Sequence, residues 1–357
     1  MRREYETIII GGGAVGSSIA YHLSEARSGG ILVIEKDFPL AGTSGSTQAW
    51  VWVHPKTPSW YGEFSMYSAQ LYGYLPRKIG DIEYNRTGGI CPFFTEQERE
   101  HAYKLAESQA QAGIDIEIWD RDLLLAREPA LTPKVLGATY SSIDGNVNPM
   151  RLVEKYMKAA KKNGVTYAYY NKVTNIAKKQ GSFIVTTPKG VFTCKTLVIS
   201  AGIWTNEVGK LLGIDIPVHP VRGQVIVTEP LAPFINYTLD GLRQASNGEV
   251  LIGYSREEAG FDRSTSLDFA TSTAAFAIQM VPDLAKAKVV RSFSGLRVMP
   301  KDEFPILGPV PGIENLFIAA MHSAITLSPL AGTLITELIT EGETSIPIDR
   351  YSITRFA

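Results

Sequence analysis

The chain has 357 residues, enough for two domains with cores of their own. An apolar fraction of 45%, a charged fraction of 20% and a net charge of −1 describe a globular protein without a basic footprint for nucleic acid, and no apolar run is long enough for a membrane span. Cys91 and Cys194 are too far apart for a redox dithiol, and the five histidines have no ligand spacing, so no metal is expected.

Residues 7–10 predict a short buried strand that starts too early to leave room for a secretory leader, so a cytoplasmic location is expected. Gly11-Gly12-Gly13-Ala14-Val15-Gly16 follows with G-x-G-x-x-G spacing. Residues 17–24 predict a helix, 31–34 a second strand, and Glu35 closes that strand. Gly11 permits the tight turn, Gly13 the approach of a pyrophosphate and Gly16 close helix–strand packing. The helix N-terminus offers N–H groups to phosphates, and Glu35 stands where a carboxylate accepts ribose hydroxyls. This strand–turn–helix–strand context predicts an adenine dinucleotide.

Thr95 and Glu98 form a capping box that opens a helix running towards Gly113. Asp144-Gly145-Asn146-Val147-Asn148-Pro149 is a turn, and Pro149 starts a helix that ends near Asn163. Strands are expected at 166–176, 182–187 and 196–202, the last ending in a small-residue turn. From Val218 to Gly253 the chain is β-rich, and residues 266–280 predict a helix. A strand at 316–320 leads through a turn into a final helix, with Ser328 as its cap and Pro329 at its first position. The expected fold class is α/β. A Rossmann-like dinucleotide-binding domain (1–80, 141–215 and 295–357) interleaves with an antiparallel β-sheet substrate domain (81–140 and 216–294).

Several separated motifs stand in order. They are the Gly11–Gly16 turn with Glu35, Asp144-Gly145 before the Pro149 helix, and Val198-Ile199-Ser200-Ala201-Gly202-Ile203-Trp204. Arg222-Gly223-Gln224, Gly295-Leu296-Arg297 and Pro305-Ile306-Leu307-Gly308-Pro309 follow. Ala320-Met321-His322-Ser323 then leads into Thr326-Leu327-Ser328-Pro329. Over nearly its whole length the chain resembles the D-amino-acid oxidase superfamily of flavoproteins, which includes glycine oxidase and sarcosine oxidase. Leu242-Arg243-Gln244 and the His322-Ser323 turn resemble a branch containing hydrogen cyanide synthase, opine oxidase and proline or hydroxyproline dehydrogenase subunits.

The resemblance implies FAD and a two-electron oxidation of a C–N bond in a small amino or imino acid. It implies that Gly11, Gly13, Ala14, Val15 and Gly16, with Glu35 and Lys36, hold the adenosine diphosphate part. Thr43 and Ser44 would line the pyrophosphate, and Gln48, Ala49 and Trp50 would lie along the flavin. Val173 would meet the adenine and Ala201-Gly202 would allow close approach. His322, Ser323, Ala324, Ile325, Thr326 and Leu327 would border the pyrimidine edge, where a helix N-terminus stabilises negative charge. Arg297 matches the arginine that holds the substrate carboxylate in glycine oxidase, and a guanidinium suits that task; a structural ion pair is its alternative. Tyr254 and Arg243 are further candidates for the substrate site, with a core tyrosine and a solvated arginine as the plainer readings.

No counterpart of sarcosine oxidase's flavin-linking cysteine is present, so FAD is expected to be non-covalent. The position of its oxygen-activating lysine is Leu251, which points to a dehydrogenase rather than an oxidase. Two other readings remain open: oxidation of a 2-hydroxy acid, with His322 as the base, and a flavin-bearing subunit of a larger electron-transfer complex. A partner redox subunit or a homo-oligomer is compatible with each.

Overall fold

Continuous apolar runs build the first sheet, because parallel strands covered on both faces need apolar side chains on both. In a computed structural model of the chain, which describes residues 3–27, 30–253 and 255–357, this sheet has the order Ile306–Pro309, Leu316–Ala320, Gly190–Ile199, Glu4–Ile10, Ile31–Ile34, Thr166–Ala168. Neighbours along that path are parallel except the first pair. An antiparallel ribbon, Asn175–Lys179 and Ser182–Thr187, extends it from the Gly190–Ile199 strand. Successive side chains alternate in destination. Ile9, Val33, Val198 and Phe317 join a core that includes helices Ala14–Ala26, Pro149–Lys162 and Ala324–Thr340. Ile8, Ile10, Leu32, Leu197 and Ile318 join the core on the opposite face.

The second sheet runs Val289–Pro300, Val218–Thr228, Val250–Ile252, Leu242–Gln244, Thr238–Leu239, Gly89–Phe93, Gly137–Ser141, Glu117–Asp120. Its pairs are antiparallel apart from Thr238–Leu239 beside Gly89–Phe93, an exception to the expected antiparallel sheet. The Thr95 capping box is present, and Asn148 caps the helix that Pro149 begins. No helix among the described residues is long and apolar enough to cross a membrane.

Two expectations about elements are corrected. Residues 166–176 are not one strand. After Ala168 the chain leaves the sheet, Tyr170 turns left-handed (φ 51°), and the N–H groups of Tyr170 and Asn171 donate to the carbonyls of Asp37 and Glu35. The final helix does not start at Ser328: its N-cap is Ser323 and Pro329 lies inside it. Proline removes the N–H that would bond the Ile325 carbonyl. That carbonyl instead accepts from the Tyr72 hydroxyl and, at 3.3 Å, from Ser328 Oγ. Ser68 Oγ donates to Thr326 O at 2.7 Å and accepts from Leu330 N at 3.2 Å, bridging the turn that proline opens. Hydroxyls from residues 68 and 72 thus carry the helix through its proline.

Candidate active site

Ligands of open α/β sheets bind beyond the carboxyl ends of the strands. Here the ends of four adjacent parallel strands deliver Gly11, Glu35, Ala201 and His322 to one cavity of about 910 Å³. The glycine turn shows why its residues are glycines. Gly11 has φ +110°, and a Cβ there would lie 2.3 Å from Ser200 O; at Gly16 a Cβ would lie 2.0 Å from Gly11 O. Gly16 therefore packs helix on strand and does not line the cavity, whereas Gly13, Ala14 and Val15 do. Glu35 Oε2 accepts from Gly12 N at 2.9 Å and Oε1 from Asp37 N at 3.0 Å, so the carboxylate is fixed against the turn. Ser44 Oγ accepts from Ala14 N at 3.0 Å, placing a hydroxyl at the start of the first helix. Lys36 pairs with Asp37 and lies 3.9 Å over the Trp204 ring. Thr43 Oγ1 donates to Leu296 O at 2.5 Å, tying this segment to the strand that carries Arg297.

Val173 and Gly202 also line the cavity, as do Gln48, Ala49 and Trp50. Gln48 Nε2 reaches the carbonyls of Gly253 and, at 3.3 Å, Gly241, joining this stretch to the second sheet. The stretch is anchored from behind by Asp144. Its Oδ1 accepts from Val53 N at 2.6 Å and its Oδ2 from the His54 ring, and both side chains are fully buried.

Arg297 is half-buried on the cavity wall, and its Nη1 donates to Ser255 O at 2.8 Å and Arg222 O at 3.3 Å. It lies over Gly223, where a Cβ would come within 2.3 Å of Nη1. His322 is held well below the usual histidine range, to about 3, by burial and by the charges of Lys56, Arg297 and Arg256. Its imidazole is therefore neutral at pH 7. Ser323, left-handed at φ 57°, begins the last helix, and Ser323, Ala324, Ile325 and Thr326 line the cavity with the helix's first turn, whose N–H groups have no intrahelical partner.

Besides Gly16, three expected site residues need correction or lie elsewhere. Leu327 is fully buried in the helical core and does not line the cavity. Arg243 is neither solvated nor on the wall. It is buried, donates to Gln48 O and, at 3.3 Å, to Asn146 Oδ1, and burial lowers its pKa to about 10. It braces the Gln48 stretch from behind. Tyr254 lies outside the described residues. Leu251 packs with Val225 and Val227 and is also off the wall, so its apolar side chain says little about oxygen.

Sequence reasoning missed Lys56, Arg256 and Asp240, all on the wall. No motif or spacing marks them; each reaches the cavity from a loop. Asp240 is held above the usual carboxylate range by burial.

The profile of the family described as FAD dependent oxidoreductase (DAO) matches residues 6–338. The chain is 28% identical to the HcnC subunit of hydrogen cyanide synthase from Pseudomonas protegens, over 100% of this chain and 97% of that protein. It is also 28% identical to an opine oxidase subunit from Agrobacterium tumefaciens, over 99% of this chain and 98% of that protein. Its fold matches the crystal structure of glycine oxidase from Geobacillus kaustophilus with a TM-score of 0.94 and 27% identity, covering 99% of each chain.

Proposed function

The chain belongs to the DAO family of FAD dependent oxidoreductases, its cofactor is FAD, and we propose that it oxidises the C–N bond of a small amino or imino acid. The observation that carries this reading is that Arg297 lines the same cavity as the glycine turn, Glu35 and the 48–50 stretch. A carboxylate held there has its α-carbon inside the cofactor's cavity. Bound FAD supplies the acceptor for a hydride, that is, for two electrons and one proton from the α-carbon.

The chain's own residues do the rest. Gly11, Gly13, Ala14, Val15, Glu35 and Lys36 would hold the adenosine diphosphate part, and Thr43 and Ser44 the pyrophosphate. The turn fits that role: at Gly13 a Cβ would meet nothing nearer than Ser44 Oγ at 3.1 Å, so the backbone is open to a phosphate there. Gln48, Ala49, Trp50 and residues 322–326 would border the flavin, with Val173 at the adenine. Arg297 would grip the carboxylate through two parallel hydrogen bonds and so orient the C–H bond. The amine lone pair becomes the C=N bond as the hydride leaves, and the iminium loses a proton to water and is hydrolysed or stays cyclic. Neither cysteine lines the cavity, which supports non-covalent FAD.

An alcohol substrate would need a base to take its hydroxyl proton. His322, the candidate, holds a proton only below about pH 3, which weighs against the 2-hydroxy-acid reading. The hydrogen cyanide synthase and opine oxidase relatives are subunits by name, which supports an electron acceptor other than oxygen, such as a partner protein. We read 1–80, 141–215 and 295–357 as the FAD domain and 81–140 and 216–294 as the substrate domain, with strand Val289–Pro300 shared between them.

Anaerobic mixing of the FAD-loaded protein with amino, imino and 2-hydroxy acids tests the proposal. Flavin bleaching by at least one amino or imino acid is expected; bleaching by hydroxy acids alone would overturn it. Reoxidation should then be faster with a dye or quinone than with oxygen, and the reverse order would make the enzyme an oxidase.

A further inference from the structure

Lys56 brings an ammonium into the cavity with no carboxylate among the described residues at ion-pair distance. Its Nζ donates to Ser323 Oγ at 2.7 Å and lies 4.7 Å from the Tyr61 ring centroid, and it makes no ion pair among the described residues. The residue is half-buried and its backbone is fixed: the Gln109 side-chain amide donates to the carbonyls of Lys56 and, at 3.2 Å, His54. Ser323 is the N-cap of the last helix, so the ammonium and the positive end of the helix dipole converge on one point of the wall. Arg297 and Arg256 add charge nearby, and Glu303 pairs with Arg256 on the exposed side of the cavity. Burial, reinforced by the charges of these three cations, keeps His322 neutral. A half-buried ammonium beside a helix N-terminus favours an anion at that point.

We propose that Lys56 is a residue that tunes the cofactor: it stabilises the negative charge that two-electron reduction leaves on the N1–C2=O edge of the isoalloxazine ring. The inference rests on the placement of residues 322–326 at that edge. In the reaction the substrate C–H bond breaks and its electron pair and hydrogen pass to N5, while the displaced ring electrons gather as negative charge at N1–C2=O. Lys56 would lie beside that charge and Arg297 beside the substrate carboxylate, so the two cations would have separate anions.

The test uses FAD-loaded wild type, Lys56→Met and Lys56→Arg. Sulfite is the first probe, because its sulfur bonds to N5 and sends an electron pair to the same N1–C2=O edge without any substrate. Lys56→Met should raise the sulfite dissociation constant about tenfold or more, and Lys56→Arg should restore most of the affinity. The reduction potential should fall with it, by about 30 mV for each tenfold loss in a two-electron couple. Sulfite affinity and potential both unchanged in Lys56→Met, with only the substrate KM raised, would make Lys56 a second substrate anchor and overturn the proposal. FAD binding itself separates the two failures. A wild-type protein that takes up no FAD sinks the site reading, whereas a loaded variant with an unchanged potential sinks the role of Lys56 alone.

Discussion

At the end proposed for the nucleotide most of the wall comes from one stretch, residues 11–44, folded as turn, helix and strand after the first strand, with Val173 and Ala201-Gly202 joining it. At the end proposed for the chemistry Lys56, Arg297 and His322 arrive from three segments far apart in sequence, and Lys56 and Arg297 are held by partners that are also distant. The nucleotide end is set by local backbone geometry: a glycine that turns left-handed and a carboxylate that accepts from the turn's own N–H. The chemical end is set by buried anchors such as Asp144 behind the 48–56 stretch and Ser68 beneath the last helix. A fault at the first should therefore weaken FAD binding, whereas a fault at the second should disturb folding or turnover.

Asp144 should give the largest effect. Asp144→Ala leaves the buried His54 ring and the Val53 N–H without their acceptor, and should cost about 3–5 kcal/mol of stability. Chemical denaturation measures it; a loss under about 1 kcal/mol would mean that water replaces the carboxylate and that the anchor is dispensable. Arg297→Leu comes next. It should leave FAD binding intact and cost about 2–5 kcal/mol in kcat/KM for a substrate with a carboxylate. An equal loss for amines without a carboxylate would show that the arginine only holds the Ser255 and Arg222 carbonyls. Glu35→Ala should weaken FAD binding by about 1.5–3 kcal/mol with little change in turnover at saturating FAD. An unchanged FAD dissociation constant would remove Glu35 from the ribose and blur the contrast between the two ends.

The effect smallest at neutral pH is a pH slope. His322 has a folded pKa of about 3 against an ordinary value of 6.5. As pH falls from about 6.5 towards 3 the unfolded chain takes up the proton first, so stability falls by up to about 1.4 kcal/mol per unit from this group. His22, also held low by burial, contributes a slope of its own. His322→Asn should flatten the His322 share of the pH dependence of apoprotein unfolding. The same slope in both proteins would place His322 outside the cationic cluster.

Legibility in the sequence follows the same division. Glycine spacing, the terminal acid of the second strand, the Thr95 capping box and the apolar runs of the first sheet all speak through neighbouring residues, and the structure places each where the pattern predicts. The start of the last helix misleads because Ser328-Pro329 satisfies a local rule for helix starts. Hydroxyls at Ser68 and Tyr72 override that rule from another part of the chain. Arg243 reads from the sequence as a substrate-site candidate or a solvated arginine, and the structure turns it towards Gln48 and Asn146. Lys56 and Asp240 escape a sequence reading because a loop residue becomes part of a cavity only when distant segments close around it.

The central claim is that one cavity holds FAD together with an amino or imino acid whose carboxylate Arg297 anchors. Its most direct test is anaerobic titration of the FAD-loaded protein with a reactive amino or imino acid and, separately, with the matching amine lacking the carboxylate. Bleaching of bound flavin by the acid, little by the amine, and loss of that preference in Arg297→Leu is the predicted result. Equal bleaching by both compounds, or a preference that survives Arg297→Leu, would contradict the account.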